Sequence, residues 1–231
     1  MWKIFYFFFF CTISLSIIAF VVFISLLWKY GNDLPDYRQL QSYQTKALSR
    51  VYSSNENILT EFAIEKRIFV PYQAIPDLVI KSFVVAEDKN FFKHDGLDFH
   101  GILRAMIDNV FNILNGSRLV GASTITQQVA KNFLLTNEVS FDRKIKEALL
   151  ALRIERTLSK EKILELYLNE IFLGFRSYGI VVASQNYFDK SLGELSLSEI
   201  AFLAGLPKGP NNYHPIKKPS AAKNRKDYVL R

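Results

Sequence analysis

The chain holds a single cysteine, Cys11, and three histidines, His94, His100 and His214. One cysteine builds neither a disulfide framework nor a cysteine-based zinc site, and it leaves the redox compartment open. The histidines lack metal-ligand spacing, which argues against a histidine-bound metal. There is no internal repeat, no low-complexity tract and no nucleic-acid-binding motif. Negative charge is in deficit: 29 Lys and Arg against 22 Asp and Glu leave a net +7. Almost all of that excess lies outside the apolar N-terminus, so the rest of the chain favours anionic partners such as phosphates or lipid headgroups.

Charge is absent altogether from Phe5 to Trp28, a run dominated by Phe, Ile, Leu and Val. At roughly 1.5 Å per residue this crosses a hydrocarbon core of about 30 Å. A cleaved signal peptide ends in small residues, which Leu26-Leu27-Trp28-Lys29 does not offer. The expectation is an uncleaved signal anchor over 5–28 behind a cytoplasmic 1–4, with a buried core helix as the alternative reading. Lys3 and Lys29 flank the run and specify its orientation only weakly. Residues 29–47 are polar and mixed and read as a stalk. Residues 48–231 are long enough for one sizeable domain.

That domain begins with two short β-favouring runs, Arg50-Val51-Tyr52 and Ile58 to Phe62, around a loop-like Ser53 to Asn57. From Pro76 the pattern turns helical, with Pro76 at a first helical position and Leu78, Val79, Phe83 and Ala86 on one stripe. Further helices are expected at about 98–114, 123–134, 141–157, 160–172, 178–187 and 196–204. Ser159 reads as an N-cap and Gly174 as a C-terminal cap. The predicted fold is mostly α with a small β-hairpin annex.

Several residues could carry chemistry. Glu87 closes an apolar helix and precedes Phe91 and Phe92, surroundings that raise a carboxyl pKa as a general base needs. Asp88 adds like charge beside it; an ordinary solvated acid pair explains both equally well. On a helix from Ser123, a 100° step gathers Thr124, Gln127, Gln128 and Lys131 within one arc, apart from Ile125, Val129 and Phe133. Such a face can line a sugar and phosphate site, or can simply be solvated. Arg143 and Glu147 stand four apart and by spacing alone read as a surface ion pair. Ala105 to Leu114, with Arg104 and Arg118 outside it, suits an amphipathic helix on a bilayer as well as it suits core packing.

Four segments in order carry a resemblance. They are Glu87-Asp88-x-x-Phe91-x-x-His94-x-Gly96, Gly121-x-Ser123-Thr124-x-Thr126-Gln127-Gln128, Arg143-Lys144-x-x-Glu147 and Ile163-Leu164-Glu165-x-Tyr167-Leu168-Asn169. Together they resemble the consecutive motifs of the peptidoglycan glycosyltransferase domain family, which has a lysozyme-like helical fold. The resemblance continues through Tyr178-Gly179-Ile180, Tyr187-Phe188 and Ala204-Gly205-Leu206-Pro207, and looks most like the 1A type of class A penicillin-binding proteins.

The resemblance implies polymerisation of lipid II into β-1,4-linked glycan, with release of undecaprenyl diphosphate. The reaction would take place on the outer, periplasmic face of a bacterial cytoplasmic membrane that the chain crosses once. Glu87 and Glu147 would be the catalytic carboxylates, Glu87 as the base and Glu147 orienting cations or coordinating a metal. Substrate contacts would come from Asp88, Phe91, His94, Gly96, Ser123, Thr124, Gln127, Gln128, Lys131, Arg143 and Asn169. A divalent cation, Mg²⁺ or Mn²⁺, is an expected companion. Partners would be lipid II, the growing glycan strand, the membrane and other cell-wall synthesis proteins, but not nucleic acid.

A lytic enzyme of similar fold, or an anchored scaffold that binds lipid II without turnover, are the rival readings. The first has no use for Lys131 and Arg143 at a diphosphate, and the second has no use for two acids. Class A relatives carry a transpeptidase built on Ser-x-x-Lys, Ser-x-Asn and Lys-Thr/Ser-Gly. Here Ser159-x-x-Lys162 and Ser220-x-x-Lys223 match the first formally, and no Lys-Thr/Ser-Gly occurs. The expectation is a truncated or split product of a longer bifunctional gene.

Overall fold

In the computed structural model the chain is described at residues 2–31, 33–43, 49–52, 58–62, 67–117, 119–136, 138 and 140–231. Side chains are described for these except at 2–5, 8, 19, 23, 26, 27, 49–52 and 58–62. The expected hairpin loop over 53–57, the end of the stalk over 44–47 and Arg118 lie outside the described residues.

Helix α1 spans Trp2–Gly31. A two-stranded antiparallel ribbon follows, β1 (Ser49–Tyr52) on β2 (Ile58–Phe62), with its register shifted between Val51 and Tyr52. The helices after it are α2 (Asp77–Glu87), α3 (Phe99–Leu114), α4 (Ile125–Leu134) and α5 (Phe141–Glu155). They continue with α6 (Lys160–Glu170), α7 (Ile180–Phe188), α8 (Leu197–Gly205) and α9 (Pro219–Val229).

Helix α6 is the hub. Ile163, Leu164, Leu166, Tyr167 and Leu168 are all buried, so it is enclosed on every side. It packs on α4, which packs on α5; α2 packs on α8, and α8 on α9. Phe83 of α2 meets Tyr167 of α6 edge to face, joining the two halves. Sequence sets the helix starts clearly. Ser140, Ser159 and Ser196 each accept a hydrogen bond from the amide three residues on, satisfying a donor that the first turn leaves free.

Two expectations are corrected, and one of two open readings of α3 falls. Leu78 is exposed, and the buried stripe of α2 is Val79, Ile80, Phe83 and Val84. Gly174 does not cap α6, which ends at Glu170 when the Ile171 amide donates to the Tyr167 carbonyl. Gly174 opens a tight turn instead, where Gly174, Phe175 and Arg176 all have positive φ and the Ser177 amide returns to the Gly174 carbonyl. On α3 only Gly101 and Ala105 are buried, while Leu103, Met106, Ile107, Val110 and Phe111 lie exposed. Core packing therefore does not account for that face.

The end of α1 is fixed to α5. The Tyr30 hydroxyl donates to Asp142, Lys146 pairs with Asp33, and Arg153 donates to the Gly31 carbonyl. Among the described residues no helix is long and apolar enough to cross a membrane. The sequence of α1 does carry the apolar run from Phe5 to Trp28.

Candidate active site

The site forms where α2 ends against the start of α4. Glu87 is the last residue of α2, and its Oε2 accepts a hydrogen bond from Gln128 Nε2 at 2.9 Å. Burial raises its carboxyl pKa. The Gln128 hydrogen bond and the charges of Arg225, Lys208 and Lys131 act the other way. The result is a carboxylate that is costly to ionise yet held for a proton, which suits a general base.

Asp88 follows immediately but faces elsewhere. At φ −153° the chain leaves the helix, and the Asp88 carboxylate turns inward. Its Oδ2 accepts the Ile125 amide at 3.0 Å, and both its oxygens lie 3.1 Å from His94 Nε2. The Gly96 amide donates to His94 Nδ1, so Nε2 carries the proton given to Asp88. Glu87 and Asp88 thus divide their work: one faces the cleft, the other holds the first turn of α4.

That turn is a capping box. Thr124 Oγ1 accepts the Gln127 amide, Gln127 Oε1 accepts the Thr124 amide, and Thr124 Oγ1 donates to the Gly96 carbonyl at 2.7 Å. Both side chains are spent inside the protein, so the polar arc expected on this helix contracts to Gln128 and Lys131. Gly96 has φ +101°, and a Cβ there would lie 2.8 Å from backbone atoms of Ala151 on α5. A glycine is required on both counts.

Beside Glu87 stands a cationic group. Glu147, buried on α5, has Arg143 Nε 3.2 Å from Oε1 and Lys144 Nζ 2.7 Å from Oε2. Lys144 also donates to Ser123 Oγ at 2.7 Å. Burial, with the charges of Arg143 and Lys144, pushes the Lys131 ammonium below its usual pKa; Glu147 and Glu87 pull it back up. Three cations around one carboxylate leave net positive charge for an anion. The same group suits a divalent cation poorly. Both Glu147 oxygens face cations, and among the described residues no three His, Cys, Asp or Glu converge.

A cleft of about 440 Å³ opens at Glu87 and is lined by Ser123, Gln128, Arg104, Lys208 and Arg225 among others. Sequence reasoning missed Arg104, Lys208 and Arg225, and treated Lys144 only as a neighbour. Among the described residues none of the first three pairs with a carboxylate, and that absence of a partner at i±4 was the available signal for Arg225. The remaining expected residues are structural in their contacts. Phe91 is in the core under Lys160. Asn169 pairs with both the amide and the carbonyl of Val70, each at 2.8 Å.

The transglycosylase family matches residues 55–231. The chain belongs to that family. Penicillin-binding protein 1A of Rickettsia bellii (strain RML369-C) is 48% identical over 225 residues, covering 96% of this chain and 28% of that protein. Its namesake in Neisseria gonorrhoeae is 45% identical over 224 residues, covering 97% and 27%. The chain therefore spans little more than a quarter of these relatives. A crystal structure of Penicillin-Binding Protein 1A from Haemophilus influenzae is 26% identical, covers 81% of this chain and 18% of that one, and gives a TM-score of 0.41.

Proposed function

We propose that this transglycosylase polymerises lipid II into β-1,4-linked glycan. The observation that carries the reading is the placement of Glu87, a half-buried carboxylate whose pKa desolvation raises, hydrogen-bonded by Gln128 and facing the charges of Arg225, Lys208 and Lys131. Glu87 takes the proton from the 4-hydroxyl of the acceptor GlcNAc as that oxygen bonds to C1 of the donor MurNAc with inversion. The C1–O bond to the diphosphate breaks, and its electron pair leaves as undecaprenyl diphosphate. Lys131, Arg143 and Lys144 stabilise the developing charge, so no general acid is needed. Glu147 holds two of these cations in place. A divalent cation, Mg²⁺ or Mn²⁺, would come as a companion of the substrate's diphosphate. Both substrates carry a diphosphate, and Lys208 with Arg225 offers the second one its own wall of charge.

The anchor belongs to the same proposal. Helix α1 has 30 residues, about 45 Å at the usual rise, and its described Phe, Ile and Leu side chains are exposed. The exposed apolar face of α3 would rest on the same outer leaflet, so a lipid-borne substrate reaches Glu87 without leaving the membrane. The lysozyme-like character of the fold and the other cell-wall proteins as partners are expectations of the same kind.

The test is purified protein with labelled lipid II. Lengthening glycan supports the reading; cleavage of preformed glycan would favour a lytic enzyme, and binding without either would favour a scaffold. The cation group favours transfer, because hydrolysis of glycan releases no diphosphate.

A further inference from the structure

Lys160 opens α6, and its ammonium turns away from the cleft into the protein. Its Nζ donates to the His94 carbonyl at 2.6 Å and to Glu155 Oε1 at 2.7 Å, and lies 4.3 Å from the centroid of the Phe91 ring. An ammonium has three N–H donors and no acceptor. A carbonyl, a carboxylate and an aromatic face match that set one for one. Glu155 is itself buried and accepts Thr126 Oγ1 at 2.6 Å.

Both arms of this network end at supports of Glu87. Through His94 and Phe91, Lys160 grips the loop from Asp88 to Gly96, which begins at the residue after Glu87. Through Glu155 and Thr126 it grips the first turn of α4, whose next turn brings Gln128 to Glu87. The two elements that define the Glu87 carboxylate's position therefore share one half-buried cation. A catalytic group needs its supporting shell held to a fraction of an ångström.

We infer that Lys160, with Glu155 and Thr126, is a positioning residue for Glu87: it sets the register of the Asp88–Gly96 loop against α4. The inference rests on Glu87 being the base. Loosening the network admits water to Glu87, relieves the burial that raises its pKa, and disturbs its geometry without touching substrate.

The test uses the full chain, with lipid II polymerisation measured across pH for wild type, Lys160→Met, Thr126→Val and Glu87→Gln. Lys160→Met keeps the length of the side chain and removes the charge; Thr126→Val removes one hydroxyl at nearly constant volume. The expected result is a fall in kcat of about tenfold in Lys160→Met, with KM within about twofold. The acid limb of its pH profile should move to lower pH. Thr126→Val should change kcat in the same direction but less, and the two effects should not add. A folded Lys160→Met with wild-type kcat, or with lowered kcat and an unmoved acid limb, would overturn the inference. So would failure of both variants to fold, which makes the network purely structural. If wild type polymerises and Glu87→Gln does not while Lys160→Met behaves normally, only the positioning role falls. If wild type itself makes no polymer, the function falls first.

Discussion

Gln128 donates to Glu87 across 2.9 Å, from the second turn of α4 to the last residue of α2. This contact joins residues 41 apart in the sequence, from two different motifs, and gives the half-buried carboxylate a neutral hydrogen-bond donor. It lowers a pKa that burial raises, so it would tune the proposed base as well as aim it.

Glu87→Gln keeps the shape of the side chain and removes the proposed base. Polymerisation should fall by at least about a hundredfold while lipid II binding largely survives. The sign of the stability effect also follows. A carboxyl whose folded pKa lies above its unfolded value costs stability once pH exceeds the unfolded value, and the cost is fully present above the folded one. Glu87→Gln should therefore melt at a higher temperature than wild type at pH 8, with the gap closing as pH falls through the carboxylate range. An equal or lower melting temperature at pH 8 would count against a desolvation cost at Glu87.

Gln128→Leu should move the acid limb of the pH–rate profile upward, because the amide's contribution is to lower the Glu87 pKa. Lys160→Met moves the same limb the other way, so the two variants separate tuning from burial. A limb that does not move in Gln128→Leu would show that the contact only positions.

Lys131→Ala and Arg143→Ala should each cost roughly 1.5–3 kcal/mol of transition-state stabilisation, read as kcat/KM. Both should weaken inhibition by a diphosphate-bearing mimic. Their effects should not add, since Glu147 links them and the Lys131 ammonium feels the Arg143 charge. Unchanged kinetics in both single variants would place the leaving group elsewhere.

Ser159 was legible as a helix start because a hydroxyl residue just ahead of a helical pattern is a short-range capping signal. The same signal was misjudged at Thr124 and Gln127: a helical wheel counted from Ser123 aligned them with Gln128 and Lys131, whereas the capping box turns both inward. The division between Glu87 and Asp88 was not legible, because it depends on the backbone angle at Asp88 rather than on composition. Nor was Asn169, whose partner Val70 is 99 residues away. The cleft's Lys208 and Arg225 come from elements outside the four motifs, and only packing of α8 and α9 against α2 brings them to Glu87.

Gly96→Ala tests the frame rather than the chemistry. Positive φ for a residue with a Cβ costs of order 1–3 kcal/mol. The clash with the Ala151 backbone adds to it, because neither partner is the end of a flexible side chain. A drop in melting temperature of at least about 4 °C is expected, with activity lost before unfolding as the His94 and Thr124 contacts at Gly96 loosen. A variant as stable as wild type would mean that the loop can move off α5.

Ser159 and Lys162 match a penicillin-reactive Ser-x-x-Lys by spacing. Ser159 Oγ accepts the Lys162 amide as the N-cap of α6, and Lys162 Nζ is paired with Glu165 at 2.6 Å. A serine nucleophile needs a base within hydrogen-bond reach of its hydroxyl. Here the lysine's charge is committed to Glu165, whose other oxygen accepts the Tyr72 amide. Ser220 and Lys223 lie on α9, exposed to solvent, with no Lys-Thr/Ser-Gly in the 231 residues to complete a site. Incubating this chain with a fluorescent penicillin should leave no covalent label, while polymerisation proceeds at its usual rate in the drug's presence. A labelled peptide containing Ser159 or Ser220 would show that one of these serines is activated by contacts this fold does not provide.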